Sequence, residues 1–215
     1  MKKVDFMAMT AAMMLTAAPV CGAESVQADA SIIGKQEITI QDGRLTPEIL
    51  WAMGRIGSSS VSPDGKRIAY TVSYYSVKEN KGHTVIYVMN ADGTGNTLLT
   101  TTAASESSPV WMKDGSTLAF LSGGQIWKMN PDGTDRKQLS SYEGGIEGFA
   151  FSPDETKVLF ISQVKYGERT VDKYPDLDKA SGMVIDDLMY KHWDEWVETV
   201  PHPFVASFDG NQVGE

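Results

Sequence analysis

The feature that most constrains the fold of this 215-residue chain is a turn motif that recurs every 40 to 50 residues. Three twelve-residue segments align without gaps around one aspartate, with a proline before it in two copies and a glycine after it in two. The segments span 59–70, 109–120 and 149–160, and the aspartates are Asp64, Asp114 and Asp154. Proline presets φ, aspartate bonds the turn backbone, and glycine accepts a positive φ. Because β-branched and aromatic runs follow each turn, the motif predicts hairpins.

A second motif interleaves with the first. Residues 86–94 match residues 126–134 at an offset of 40 residues, and residues 205–211 form a weaker third copy. Each unit therefore holds about four strands, which is the period of a β-propeller blade. An unrelated β-meander would not share one offset between two motifs. We predict an all-β chain that forms an incomplete β-propeller of about three to four blades, with blade starts near 59, 109 and 149.

The stretch before the first blade predicts a short helix. Thr46 caps it, Pro47 takes the first helical position, and Gly54 ends it. Residues 24–44 precede this helix and are predicted to be a flexible leader, so that the partial propeller spans 45–215.

After the third blade start, the strand pattern is interrupted. Lysine, aspartate, tyrosine and tryptophan replace the β-branched residues from about Tyr166 onward, and residues 185–190 are compatible with a helix. The pattern predicts an insertion in the third blade over 166–203.

The amino terminus predicts export. Two lysines precede an apolar run over residues 6–20, and the small residues Cys21, Gly22 and Ala23 follow it. The run of about 15 residues is too short to span a bilayer comfortably. We predict a signal peptide over 1–23 with cleavage after Ala23, no membrane span, and a periplasmic or secreted protein. Lipidation of Cys21 is the alternative.

Composition excludes several classes of protein. The net charge of −9 and the pI near 4.8 argue against a nucleic-acid partner, which would favour a basic face. A single cysteine excludes an intrachain disulfide framework and a cysteine-rich zinc site. Hydrophobic residues make up 41% of the chain, which is enough for a packed core. Aromatic residues within the strand patterns are expected in that core or in cross-strand pairs; they are Tyr74, Tyr75, Tyr87, Trp111 and Trp127.

No metal site or cofactor is predicted. His192 has no second histidine at ligand spacing. Asp172, Asp176 and Asp178 form an acidic run without the glycine position of a calcium-binding EF-hand loop, which favours a solvated loop. Composition and motifs do not predict the oligomeric state.

Two parts of the sequence resemble a known family. Residues 45–51, 61–66 and 68–70 resemble the start of the propeller in secreted bacterial peptidases of the prolyl oligopeptidase family. The stretch Tyr-Lys-His-Trp-Asp-Glu-Trp at 190–196 is similar to a segment of its dipeptidyl peptidase V and acylaminoacyl peptidase members. The resemblance covers about 45–215.

This resemblance implies the amino-terminal propeller of an exported serine exopeptidase that cleaves short peptides from their amino termini. In that family, a hydrolase domain with a Ser-Asp-His triad follows the propeller, whereas this sequence contains no Gly-x-Ser-x-Gly motif. We therefore expect a chain truncated before the hydrolase domain, with no catalytic residues, whose propeller gates the access of short peptide substrates. Because TolB-type propellers share the blade motif, a non-enzymatic periplasmic protein-binding propeller stays open as the alternative.

The resemblance also implies where a substrate binds. In related dipeptidyl peptidases, acidic residues that project from the propeller hold the free α-amino group of the substrate. The candidates here are Glu195 and Asp194, flanked by Trp193 and Trp196. A carboxylate beside aromatic walls pairs well with an ammonium group. The alternative is a solvated acidic loop whose tryptophans pack on the propeller.

Overall fold

A computed structural model describes residues 32–40, 42–177, 179, 181–182, 184 and 197–214. The helices are α1 (Pro47–Ala52), α2 (Thr170–Lys173) and a 3-10 helix (Pro175–Leu177). The strands are β1 (Arg55–Val61), β2 (Arg67–Ser76), β3 (Lys81–Asn90), β4 (Thr97–Leu98), β5 (Glu106–Trp111), β6 (Leu118–Ser122), β7 (Gln125–Met129), β8 (Lys137–Gln138), β9 (Gly148–Phe151), β10 (Lys157–Lys165) and β11 (Thr199–Ser207).

These strands form three antiparallel sheets, which are ordered β1-β2-β3-β4, β5-β6-β7-β8 and β11-β10-β9. Within each sheet, every strand pairs with the strand that precedes or follows it in the sequence, and a turn or a loop joins the two. The prediction of an all-β, incomplete propeller with a short helix at its start and an insertion in its third blade is confirmed. The described sheets do not close into a ring.

The recurring turn has the geometry that its sequence predicts. The Asp64 carboxylate accepts hydrogen bonds from the Ser62 hydroxyl at 2.6 Å and from the Lys66 N–H at 3.0 Å. Gly65 follows with φ of +72°. In the third copy, Glu155 occupies the glycine position with φ of +57°, a conformation that is uncommon for a residue with a side chain.

Helix α1 begins as expected, but Gly54 is not the left-handed stop that the sequence predicts. The Thr46 hydroxyl accepts a hydrogen bond from the Ile49 N–H at 3.3 Å, which caps the first turn. Gly54 does not take a positive φ. A Cβ at this position would lie 2.7 Å from the Tyr74 ring and 2.8 Å from the Val72 side chain. Glycine is required here because the chain passes close to the second strand.

Two buried clusters join the three sheets and form the core. The first interface lies between the first and second sheets, and the second interface lies between the second and third. The first contains Ala69, Ile86, Val88, Leu99, Trp111, Leu118, Phe120 and Met129. The second contains Met112, Ala119, Leu121, Ile126, Leu139, Ile146, Val158, Phe160, Ala206 and Phe208. Because burying one large apolar side chain is worth about 1.5–3 kcal/mol, stacked sheets rather than single sheets are the stable unit.

The connection between the second and third strands differs greatly among the sheets. It comprises residues 77–80 in the first sheet and 123–124 in the second, but residues 166–198 in the third. Since the sheets repeat one another, these connections lie at one end of the strands, which we call the insertion end. The Asp-Gly turns lie at the opposite end, which we call the turn end.

The sequence predicts the insertion up to residue 203, whereas β11 begins at Thr199. Pro201 and Pro203 lie within this strand and pair with Gln163 and Ile161. Proline is tolerated because β11 is at the edge of the described sheet, where a missing N–H leaves no ladder bond unmade.

Two described residues of the predicted leader contact the first sheet. Ile33 packs against the cluster of Val72, Tyr74 and Val85. The Gln36 side-chain amide donates a hydrogen bond to the Tyr75 carbonyl at 3.0 Å. The described part of the leader therefore follows the outer face of the first sheet.

Candidate functional site

The four residues predicted to bind substrate, Trp193, Asp194, Glu195 and Trp196, lie outside the described residues. Their role therefore stays a prediction. The structure does describe the base of the insertion that carries them, at 166–177 and 197–198, together with single positions between these segments.

The insertion leaves and re-enters the third sheet at one place. Lys165, the last residue of β10, pairs with Thr199, the first residue of β11. One step further out, the Tyr166 N–H donates a hydrogen bond to the Glu198 carbonyl at 2.8 Å. The two limbs of the insertion are therefore held together where they leave the sheet.

Asp172 makes the strongest polar contacts at this base. Its Oδ2 accepts hydrogen bonds from Lys165 Nζ at 2.6 Å and from the Arg169 N–H at 2.8 Å, and Arg169 Nε lies 3.3 Å away. The Lys165 ammonium and then the Arg169 N–H hold the pKa of the Asp172 carboxyl well below its usual range. Asp172 is thus an ion-paired residue, unlike the solvated loop carboxylate that the sequence favours. Asp176 has no ion pair among the described residues, and Asp178 lies outside them.

The insertion end also carries an aromatic groove beside α1. The rings of Trp51 and Tyr75 meet edge to face at 5.7 Å, and the Arg55 guanidinium stacks over both at 4.8 and 4.5 Å. A groove of about 430 Å³ lies against these rings, between α1 and the end of β2. Tyr75 therefore lines a surface groove rather than the core, whereas Tyr74 and Trp111 are buried as expected.

The turn end carries a second groove, of about 410 Å³, with three turn aspartates in its lining. These are Asp114, Asp154 and Asp209. Each carboxylate accepts hydrogen bonds from its own turn, and the Ser152 hydroxyl is the main cause that lowers the pKa of Asp154 to about 2. These three carboxylates hold their own turns together, which is a structural role.

The described residues contain no group of three or more side chains that could hold a metal ion. The His83 ring is buried, with Nδ1 2.9 Å from the Ile33 carbonyl and Nε2 3.3 Å from the Ala104 carbonyl. His202 is exposed on β11, and His192 lies outside the described residues.

No helix in the described part of the chain is long and apolar enough to cross a membrane.

The structure contains a buried ion pair within the second sheet, on the face that meets the first sheet. The Glu106 side chain is fully buried and bonds the Arg136 guanidinium. The Thr100 hydroxyl donates a second hydrogen bond to Glu106 at 2.7 Å. The sequence carries one signal of it, since the aligned position in the third repeat is Ile146, which is buried, while Ile56 in the first repeat is exposed. A charged residue where its repeats carry isoleucine indicates a buried charge with a dedicated partner.

The sequence matches the family described as TolB beta propeller domain over residues 34–188. This match covers well over half of the chain, and the three described sheets have the blade architecture of that fold. The chain belongs to the TolB beta propeller domain family.

Two curated proteins are similar to most of this chain. The chain is 52% identical over 187 residues to Dipeptidyl-peptidase 5 of Porphyromonas gingivalis, which covers 83% of this chain and 27% of the relative. It is 45% identical over 173 residues to Dipeptidyl-peptidase 5 of Porphyromonas endodontalis, which covers 79% of this chain and 25% of the relative. The chain thus spans about a quarter of the length of the curated relatives it matches.

A solved structure supports the fold. Acylaminoacyl peptidase from Pyrococcus horikoshii superposes with a TM-score of 0.53 at 15% identity, over 77% of this chain and 25% of that one. Together with the Dipeptidyl-peptidase 5 relatives, this similarity fits the predicted propeller part of a peptidase of the dipeptidyl or acylaminoacyl type.

Proposed function

We propose that this chain is the propeller part of an exported serine exopeptidase of the prolyl oligopeptidase family, which releases short peptides from the amino termini of its substrates. The observation that carries the proposal is the 52% identity to Dipeptidyl-peptidase 5 over most of the chain. In this proposal, the propeller restricts access to a hydrolase domain and helps to hold the amino terminus of a peptide substrate.

The long connection in the third sheet supports a role for the propeller in substrate binding. A propeller blade needs only a short hairpin between its second and third strands, as residues 77–80 and 123–124 show. The connection at 166–198 is far longer than a blade requires, so its length requires another role. Glu195 and Asp194 are our candidates for pairing with the substrate ammonium, with Trp193 and Trp196 as apolar walls.

Export is the second part of the proposal. Residues 1–23 have the order of a signal peptide, with two lysines, an apolar run and small residues before the cleavage position. Cleavage after Ala23 would place the mature protein in the periplasm or outside the cell. Sequencing of the mature amino terminus tests this, with a start at or near Glu24 as the expected result and an intact Met1 on cytoplasmic protein as the contrary one.

A TolB-like protein-binding propeller is the second candidate function, and the family match over 34–188 favours it. The coding sequence downstream of codon 215 separates the two candidates. A long open frame with a Gly-x-Ser-x-Gly motif supports the peptidase. A stop codon after three or four further blades supports the binding propeller.

The substrate role is tested with Glu195→Gln in the longer enzyme, which removes the charge and keeps the shape. Losing a charge-assisted hydrogen bond should lower kcat/KM about 10- to 150-fold on a dipeptidyl substrate with a free amino terminus. The acylated form of the same substrate has no ammonium and should be unaffected. Asp194→Asn tests the neighbouring carboxylate, and Glu168→Gln, in the same insertion, is the control. Equal losses on both substrates would indicate a folding defect and contradict the role.

A further inference from the structure

The base of the insertion is held by more polar contacts than a surface loop needs. The corresponding connections in the other two sheets comprise four and two residues, at 77–80 and 123–124, and require no support of this kind. The base of the insertion sets the position of any insertion residue that contacts a substrate. The link from these contacts to substrate binding rests on the proposed function, whereas the contacts themselves do not.

One carboxylate oxygen joins the insertion to the sheet. Asp172 lies in α2, and its Oδ2 bonds Lys165 Nζ at 2.6 Å. Lys165 is the last residue of β10 and pairs with Thr199 across the sheet. Asp172 therefore ties α2 to the place where both limbs of the insertion meet the third sheet.

The same oxygen also caps α2. The Arg169 N–H donates to Asp172 Oδ2 at 2.8 Å, and Arg169 Nε lies 3.3 Å from it. A helix of four residues is too short to be stable without outside contacts. Removing the carboxylate would therefore loosen both the helix start and its link to the sheet.

A second hydrogen bond joins α2 to Val184, which lies later in the insertion. The Thr170 hydroxyl accepts a hydrogen bond from the Val184 N–H at 2.8 Å. Thr170 and Asp172 thus bond, from one short helix, to a later part of the insertion and to the end of β10. Helix α2 therefore links the end of β10 to Val184 in the insertion.

We infer that Asp172 is a positioning residue, which fixes the insertion on the third sheet and thereby sets how tightly the proposed exopeptidase holds the amino terminus of its substrate. Its side chain is 24% exposed and lies against two cationic side chains, Lys165 and Arg169. It acts through the insertion and does not touch the reacting atoms.

The first test measures amide hydrogen exchange by mass spectrometry in Asp172→Asn. Exchange should become about three- to ten-fold faster in 166–177 and 197–200, because local opening becomes easier when the ion pair with Lys165 is lost. Exchange in β6 should not change. Asp176→Asn is the matched control, since it removes a nearby carboxylate that has no ion pair among the described residues. Asp172→Glu, which keeps the charge, should recover part of the protection.

The second test uses the longer enzyme and a dipeptidyl substrate with a free amino terminus. Asp172→Asn should raise KM about three- to ten-fold with kcat unchanged, because uniform binding is lost while the chemistry is not. The KM for the acylated substrate should stay the same. Asp172→Glu should restore most of the lost binding.

Each outcome decides the inference. Unchanged exchange in Asp172→Asn, or the same change in Asp176→Asn, overturns the positioning role. Faster exchange with an unchanged KM overturns the link to substrate binding. If the unsubstituted longer enzyme does not cleave dipeptidyl substrates, the proposed function and the link to substrate binding both fail, while the exchange experiment still decides whether Asp172 holds the insertion.

Discussion

The two interfaces between the sheets are built from equivalent strands but are held in different ways. At the first interface, the fully buried Glu106 bonds Arg136. The Trp111 ring lies under the Arg67 guanidinium at 4.5 Å, and its Nε1 donates to the Ser60 carbonyl at 3.1 Å. The two Trp111 contacts cross from one sheet to the other, whereas the Glu106–Arg136 pair joins two parts of the second sheet on the face that meets the first.

The second interface also has polar bonds across it, from the Lys113 N–H to Glu155 Oε1 at 2.6 Å and from Lys128 Nζ to the Gly210 carbonyl at 2.8 Å, but its core contains an aromatic cluster. The Phe160 ring stacks on Phe204 at 5.3 Å and meets Tyr142 edge to face at 5.1 Å. Its one buried side-chain polar atom without a described partner is the Ser162 hydroxyl. The difference teaches that a repeated strand pattern specifies stacking, while single residues at equivalent positions decide how each stack is held.

The largest expected effect is at the second interface. Phe160→Ala should lower the free energy of unfolding by about 3–5 kcal/mol, because a large cavity replaces a ring that is 5% exposed. Denaturant unfolding measures this loss. Phe149→Ala, at a half-buried position of the same sheet, should cost clearly less. Equal losses would show that aromatic burial does not dominate this interface.

Glu106→Gln should cost about 3 kcal/mol, because it leaves the Arg136 guanidinium without its buried counter-charge. Thermal unfolding would show the loss as a lower Tm. Replacing both partners, as Glu106→Leu with Arg136→Met, should recover most of it, since an apolar pair needs no charge partner. A double variant as unstable as the single one would mean that the polar bonds themselves stabilise the first interface.

Trp111→Phe should cost about 1 kcal/mol through the lost hydrogen bond to the Ser60 carbonyl, which crosses the first interface. Trp127→Phe is a matched control, because Trp127 Nε1 donates to the Ser122 carbonyl within one sheet at the same distance of 3.1 Å. Urea unfolding compares the two. Exchange of β2 amides (Arg67–Ser76) should rise in the first variant alone, and a rise in both would contradict the distinction.

Ser162→Ala should be neutral or should stabilise the chain by up to about 1 kcal/mol, because it removes a buried hydroxyl without a described partner. Ser140→Ala is the contrasting variant. The Ser140 hydroxyl accepts the Ile126 N–H and donates to Gln125 Oε1, both at 2.8 Å, so its loss should cost about 1 kcal/mol. A clear destabilisation by Ser162→Ala would reveal a bonded partner for that hydroxyl.

The smallest expected effect concerns pH. The pKa of Asp154 lies at about 2, below its usual value, chiefly because the Ser152 hydroxyl bonds the carboxylate. Its stabilising effect is therefore complete above about pH 4 and is lost as the pH falls towards about 2. Asp154→Asn should flatten the dependence of the urea midpoint in this range. An unaltered profile in Asp154→Asn would exclude the turn as a source of acid sensitivity.

Much of the fold follows from the sequence, because its signals are local. The Asp-Gly turns at Asp64 and Asp114 depend on residues within the turn itself, so short-range chemistry determines them. The limits of β11 could not be read in the same way. Pro201 and Pro203 indicate a loop, and only the edge position of the strand makes them acceptable.

The candidate site shows the same division. Sequence patterns identify the insertion, and the resemblance to a peptidase family suggests Glu195 and Asp194 within it. Neither indicates that Asp172 pairs with Lys165, because that contact depends on how α2 folds back against the end of β10.

What the sequence by itself determined is the blade repeat, its turns and the place of the insertion, since each depends on neighbours along the chain. Tertiary structure alone decided the two kinds of interface. Glu106 meets Arg136 across 30 residues, and Arg67 meets the Gly115 carbonyl across 48. The Arg67 contact forms only once the two sheets have stacked, and the Glu106 pair joins distant strands of one sheet. Burial and direction, which no local pattern carries, select the partner of each polar group.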